Sequence, residues 1–182
     1  MSSSDPARTL VTGFGPFLDV KENPSAILAE GTGRPFRILE VAFEAVDEFL
    51  ASLDPASFDR LVLMGVATGR TQITPELFAR NQIGHTRDVR GNDRFGPIDP
   101  AAPLLLEGTL WIESSMVELF PNPDLKISLD AGSYLCNYSY FRALQRFPQK
   151  QIGFLHVPQP AKIPLERQQK LVSSLIEHVE SR

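Results

Sequence analysis

Short apolar runs alternate along the chain with stretches whose apolar residues recur every three to four positions. RTLVTGF (8–14) reads as a buried strand, and ENPSAILAEG (22–31) as the helix after it, with Asn23 as N-cap, Pro24 in the first helical position and Gly31 as C-cap. RILEVAF (37–43) predicts a second strand, EAVDEFLASL (44–53) a helix burying Val46, Phe49, Leu50 and Leu53, and DRLVLMGV (59–66) a third strand. Farther on, TLWIESSMVELF (109–120) has a helical pattern and DLKISLDA (124–131) that of a strand. In SYLCNYSYFRALQRF (133–147), Leu135, Tyr138, Phe141 and Leu144 fall at three-residue steps, the mark of an amphipathic helix. QIGFLHV (151–157) predicts another buried strand. PLERQQKLVSSLIEHVE (164–180) predicts a last helix with Leu171, Val172, Leu175, Ile176 and Val179 inward. Residues 70–108, rich in Gly, Pro, Arg and Asn, carry no clear period, and long irregular stretches of this kind often serve a site.

Alternating strands and helices predict an α/β protein, a three-layer α/β/α sandwich around a mainly parallel sheet. With 182 residues and 42% hydrophobic content, the chain has the material for one sizeable core and is read as a single domain over 1–182, residues 1–7 forming a flexible tail. A net charge of −4, with Lys and Arg scattered, argues against nucleic acid as a partner. His85, His156 and His178 stand far apart without metal-ligand spacing, so neither a metal nor another cofactor is expected. The N-terminus lacks a signal-peptide pattern, no run reaches the length of a membrane span, and a single cysteine forms no internal disulfide, so no membrane association and a cytoplasmic location are expected.

That cysteine, Cys136, is the main chemical question. A small thiol packs like a hydrophobe, and a buried filler is the plain reading. Topology argues otherwise, because ligands of open α/β sheets gather at the carboxyl ends of the strands, where both Cys136 and His156 fall. A first-turn position near a helix N-terminus is expected to lower the thiol pKa, and a neighbouring imidazole completes a Cys/His pair. Glu76, following the third strand, belongs to the same edge and is a candidate to orient the imidazole, although spacing alone does not separate it from an exposed loop carboxylate. TGFGPF and GVATGRT lack the glycine and lysine positions of nucleotide-binding loops.

Taken in order, VTGFGPF, ENPS, GRTQITPE, AGSYLCN and GFLHVP resemble the pyroglutamyl-peptidase I family of cysteine peptidases over about residues 9–180. The resemblance implies an omega peptidase that removes N-terminal 5-oxoproline from a peptide with a blocked N-terminus through an acyl-enzyme. It implies Cys136 as nucleophile, His156 as base and Glu76 as the third member of the triad. It further implies Phe14 and Phe17 flanking the flat lactam ring, with Tyr134 and Leu135 lining the same pocket and Arg87 as a candidate near the oxyanion. The sequence departs from the family pattern at Leu18 and Asp19, where small residues are usual, at Val66 in place of a glutamine that could bond the lactam, and at Asp130 in place of a threonine, a carboxylate that could raise the thiol's pKa. These departures leave open a related amidohydrolase for a different small N-terminal group, or an idle binding homologue. Family members commonly self-associate, so a homo-oligomer is a further implication.

Overall fold

The computed structural model describes residues 8–18, 20–111, 119 and 121–182. A five-stranded sheet in the order β2-β1-β3-β7-β4 forms its centre. β1 (Thr9–Phe14), β2 (Phe36–Leu39), β3 (Arg60–Val66) and β7 (Gln151–Val157) run parallel, while β4 (Thr74–Glu76) pairs antiparallel with β7. β5 (Phe78–Arg80) and β6 (Leu105–Glu107) form a separate antiparallel pair within the stretch that shows no period in the sequence. Helices α1 (Pro24–Gly31) and α4 (Leu165–Glu180) cover one face; α2 (Phe43–Ser52) and α3 (Leu135–Arg146) cover the other. This is the mainly parallel α/β sandwich expected.

Strand alternation decides which core each side chain enters. On β3, Val62 and Met64 join the α1/α4 core, whereas Leu61 and Leu63 join the α2/α3 core; on β7, Leu155 and Val157 take the first side, and Ile152 and Phe154 the second. β3 and β7 are almost wholly buried, as strands covered on both faces must be.

Several local expectations change. α1 does not stop at a Gly31 cap: its C-cap is Thr32, and the positive φ falls to Gly33 at 70°. The second strand ends at Leu39; Val41, Ala42 and Phe43 are buried in the core, with Ala42 as the N-cap of α2 and Phe43 its first residue. Of the helix predicted over 109–120, residues 112–118 and 120 lie outside the described residues, and Thr109, Leu110 and Trp111 are not helical. The predicted N-terminal tail, 1–7, also lies outside them, as does Asp19.

The strand predicted over 124–131 is an interrupted one. It runs parallel to β4 through two isolated bridges, Ile73 with Leu125 and Glu76 with Ser128. Bonds from Ile73 N–H to the Asp124 carbonyl and from Lys126 N–H to the Ile73 carbonyl form the first bridge. Ser128 N–H to the Pro75 carbonyl and Leu77 N–H to the Ser128 carbonyl form the second. The missing rung between them would need the N–H that Pro75 does not have.

Candidate active site

The register of the sheet sets the site out as a transverse row. Extending the pairing of Thr12 with Leu63 by two residues aligns Phe14 of β1 with Gly65 of β3; Gly65 in turn is opposite His156 of β7, and His156 opposite Thr74 of β4. Cys136, the second residue of α3, comes down on this row. A Cβ on Gly65 would lie 2.6 Å from Cys136 Sγ and 3.0 Å from the Phe154 ring, so glycine is what lets the thiol approach the sheet. One strand alternation below Thr74, Glu76 is fully buried, and its Oε1 lies 2.7 Å from His156 Nδ1. With Nδ1 so engaged, Nε2 is the imidazole nitrogen left for chemistry. Cys136 and His156 line one cavity of about 410 Å³.

The helix start does not lower the thiol pKa as the sequence position implied. Burial, with the charge of Glu76 added, pushes Cys136 up to about 12, against the opposing pull of Arg70 and of the cysteine's own backbone N–H. Burial likewise holds the His156 pKa below its ordinary value, although the hydrogen bond and charge of Glu76 work to raise it. Both shifts favour the uncharged forms of thiol and imidazole at neutral pH. Tyr134, the N-cap of α3, makes no side-chain cap bond, and the N–H groups of the helix's first turn have no capping partner among the described residues.

A family model described as pyroglutamyl peptidase matches residues 7–180. The chain belongs to the pyroglutamyl peptidase family. Among its relatives, pyrrolidone-carboxylate peptidase of Pyrococcus furiosus is 36% identical over 172 residues, covering 83% of this chain and 80% of the relative. That of Oceanobacillus iheyensis is 32% identical over 173 residues, covering 87% of each. The crystal structure of pyrrolidone carboxyl peptidase from Thermus thermophilus superposes with a TM-score of 0.81 at 33% identity, covering 93% of this chain and 99% of that one. Pyroglutamyl peptidase I of Bacillus amyloliquefaciens shares the fold at a TM-score of 0.86 and 22% identity, covering 97% and 98%. The family is one of cysteine exopeptidases.

In this pyroglutamyl peptidase family member, the aromatic wall of the cavity comes from the turn after β1. Phe14 and Phe17 line it together with Val41, Val66, Tyr134 and Leu135. The ENPS stretch holds that turn in place. Ser25 Oγ accepts from Phe14 N–H at 3.0 Å and donates to Asn23 Oδ1 at 2.8 Å, while Asn23 Nδ2 donates to the Gly15 carbonyl at 2.9 Å. Asn23 also caps α1 through Ser25 N–H, so one side chain both starts the helix and ties down the turn. Gly13 permits this packing, since a Cβ there would lie 2.3 Å from the Ser25 carbonyl oxygen. Phe17 and Val20 exchange two backbone bonds around a tight turn, and Leu18 occupies it at a φ of 46°, the left-handed region that favours glycine.

The structure does not bring Arg87 to the cavity. Its side chain is 74% exposed and pairs at 3.9 Å with Asp93; the Arg87 carbonyl accepts from the Tyr134 hydroxyl at 2.8 Å and so helps position that cavity wall. The arginine at the centre is Arg70, which the sequence reading did not single out. Its Nη1 donates to Glu76 Oε1 and to Thr74 Oγ1, and its Nη2 donates to the Asp130 carbonyl at 2.7 Å. The available signal was physical: a fully buried glutamate needs a cation. Asp130 does not turn its charge on the thiol. Its carboxylate pairs with Arg80 at 2.9 Å and accepts from Gly132 N–H, also at 2.9 Å. Asn137, next to the cysteine, clamps the backbone of Arg80 and Gln82 to α3 with three side-chain bonds.

Proposed function

We propose that this chain hydrolyses the peptide bond after an N-terminal 5-oxoproline, with Cys136 as nucleophile, His156 as general base and then acid, and Glu76 orienting the imidazole. The observation that carries this reading is the shared cavity of Cys136 and His156, with the far nitrogen of the imidazole held by a buried carboxylate. Because the uncharged forms of both partners are favoured, the proton leaves Sγ for His156 Nε2 as the sulfur attacks the carbonyl carbon. The tetrahedral oxyanion takes hydrogen bonds from first-turn N–H groups of α3. Its collapse expels the amine, which takes the proton from His156 and leaves a thioester. Water, giving its proton to the same imidazole, then attacks the thioester, releasing 5-oxoproline and restoring the thiol.

The lactam ring is flat and uncharged, so a cavity walled by Phe14, Phe17 and Val66 desolvates it at small cost, whereas a free ammonium would meet no carboxylate among the described residues that line it. The test is release of fluorophore from pyroglutamyl-aminomethylcoumarin beside prolyl-aminomethylcoumarin. Wild type is expected to cleave the first and not the second, and Cys136→Ala and His156→Ala to lose the activity. Undiminished turnover in either variant, or cleavage of the prolyl amide alone, would overturn the assignment.

A further inference from the structure

Beyond the cavity that holds the thiol, the molecule has a second hollow of about 430 Å³ that shares Gly69 and Arg70 with it. It runs along Gln72 and Thr74 on one side and Lys126 and Ser128 on the other. The transverse row explains where it points. Phe14, Gly65 beneath the sulfur, His156 and Thr74 follow one another on adjacent strands. The bridge of Ile73 with Leu125 puts Lys126 beside Thr74, one strand farther out. A lactam at the Phe14 end and a scissile carbon at the sulfur place the leaving amine at His156, so the rest of the peptide continues toward Thr74 and the edge.

We propose that this second hollow is the subsite for the leaving peptide, that the peptide lies there extended, and that Lys126 selects an acidic side chain in it. The proposal rests on the lactam hydrolysis set out above. Two strand spacings separate Lys126 from His156, roughly 10 Å, which is about three residues of extended chain. The favoured acid therefore falls at the second or third residue after the lactam, within reach of a lysine side chain. Lys126 is exposed, and no ion pair is formed by it among the described residues.

The experiment compares pyroglutamyl tetrapeptide amides carrying Asp or Lys at the second or third residue after the lactam, with alanine elsewhere, by kcat/KM for 5-oxoproline release. At low ionic strength the wild type should prefer Asp by about threefold at one of these positions, as an exposed ion pair allows, and the preference should flatten as salt is raised. Lys126→Glu should reverse the Asp-to-Lys ratio. Equal rates for all the peptides, or the same ratio in both proteins, would overturn the proposal. Pyroglutamyl-aminomethylcoumarin separates the two levels of failure. If wild type cleaves the coumarin amide but does not discriminate among the peptides, the groove assignment alone is wrong; if it cleaves neither, the lactam reading falls and takes the groove with it.

Discussion

Replacing Arg70 with methionine removes the charge from a buried cluster while keeping much of the side-chain volume. Glu76 has no exposed side-chain surface, and Arg70 is only about a quarter exposed at 26%. Without the guanidinium, Glu76 keeps His156 as its partner at Oε1, and Oε2, which already has no hydrogen-bond partner among the described residues, gains none. Breaking a buried ion pair by removing one member costs about 3–5 kcal/mol, and the partial exposure of Arg70 places the loss near the lower figure, about 3 kcal/mol. For a chain of 182 residues that is a fall in Tm of about 6–12 °C. kcat/KM should fall by about 10²-fold, because Glu76, no longer anchored by Arg70, shifts and carries the His156 ring with it. Arg70→Lys should recover only part of either loss, because a single ammonium cannot reproduce the fork that reaches Glu76, Thr74 and the Asp130 carbonyl at once. Calorimetry on the two variants and on Glu76→Gln with and without Arg70→Met closes the cycle. Once the carboxylate is neutral, loss of Arg70 should cost much less. A Tm of Arg70→Met within about 1 °C of wild type, or fully additive losses in the cycle, would refute the coupling.

Gly65→Ala is expected to push Cys136 Sγ off the row, destabilise the fold by about 1–3 kcal/mol and reduce kcat far more than it raises KM, all measurable by denaturation and steady-state kinetics. Ser25→Ala should release the Phe14 turn, raising KM for pyroglutamyl substrates at a stability cost of about 1 kcal/mol; an unchanged KM would mean that the turn holds itself. Leu18→Gly should stabilise the protein by about 0.5 kcal/mol, since relief of the left-handed backbone outweighs the entropy glycine adds to the unfolded chain; a lower denaturation midpoint would contradict this. Stability should also depend on pH from two sides. His156, with its folded value lowered, contributes stability that is present above about 6.5 and lost as pH falls through that lower value. Cys136, with its folded value raised to about 12, contributes stability present below its unfolded value and lost as pH rises toward 12. Cys136→Ser should flatten the alkaline side of a Tm-against-pH curve, and a curve unchanged by the substitution would contradict the thiol assignment.

What was legible in the sequence and what was not divides along physical lines. The apolar runs of β1, β3 and β7 and the helical spacing in α3 and α4 are local signals, and they place the helix start that carries Cys136 and the strand end that carries His156. β4, β5 and β6 are three residues each, too short for a period of two to stand out. Pro75 divides the edge ladder by removing one donor, an effect that shows only once the partner segment is known. Arg70 belongs to the same class: its meaning lies in the burial of Glu76 and in the carbonyl of Asp130, 60 residues away. A helix terminus is visible in sequence and the protein around the sulfur is not, so the sequence predicts a lowered thiol pKa where burial raises it. The family resemblance implies Arg87 near the oxyanion, while its side chain turns out to solvent.

The strand order also bears on how the chain is made. β7 lies between β3 and β4 in the sheet but follows both in the sequence. A nascent chain that has emerged as far as residue 150 presents β3, buried along its whole length in the finished protein, as an open edge, and β4 has no place in the sheet until β7 arrives. Glu76 therefore waits for His156 to be synthesised before it has its imidazole partner. Assembly of the site is thus a late event of biosynthesis, and the interval before it is when this protein most needs protection from pairing with another chain.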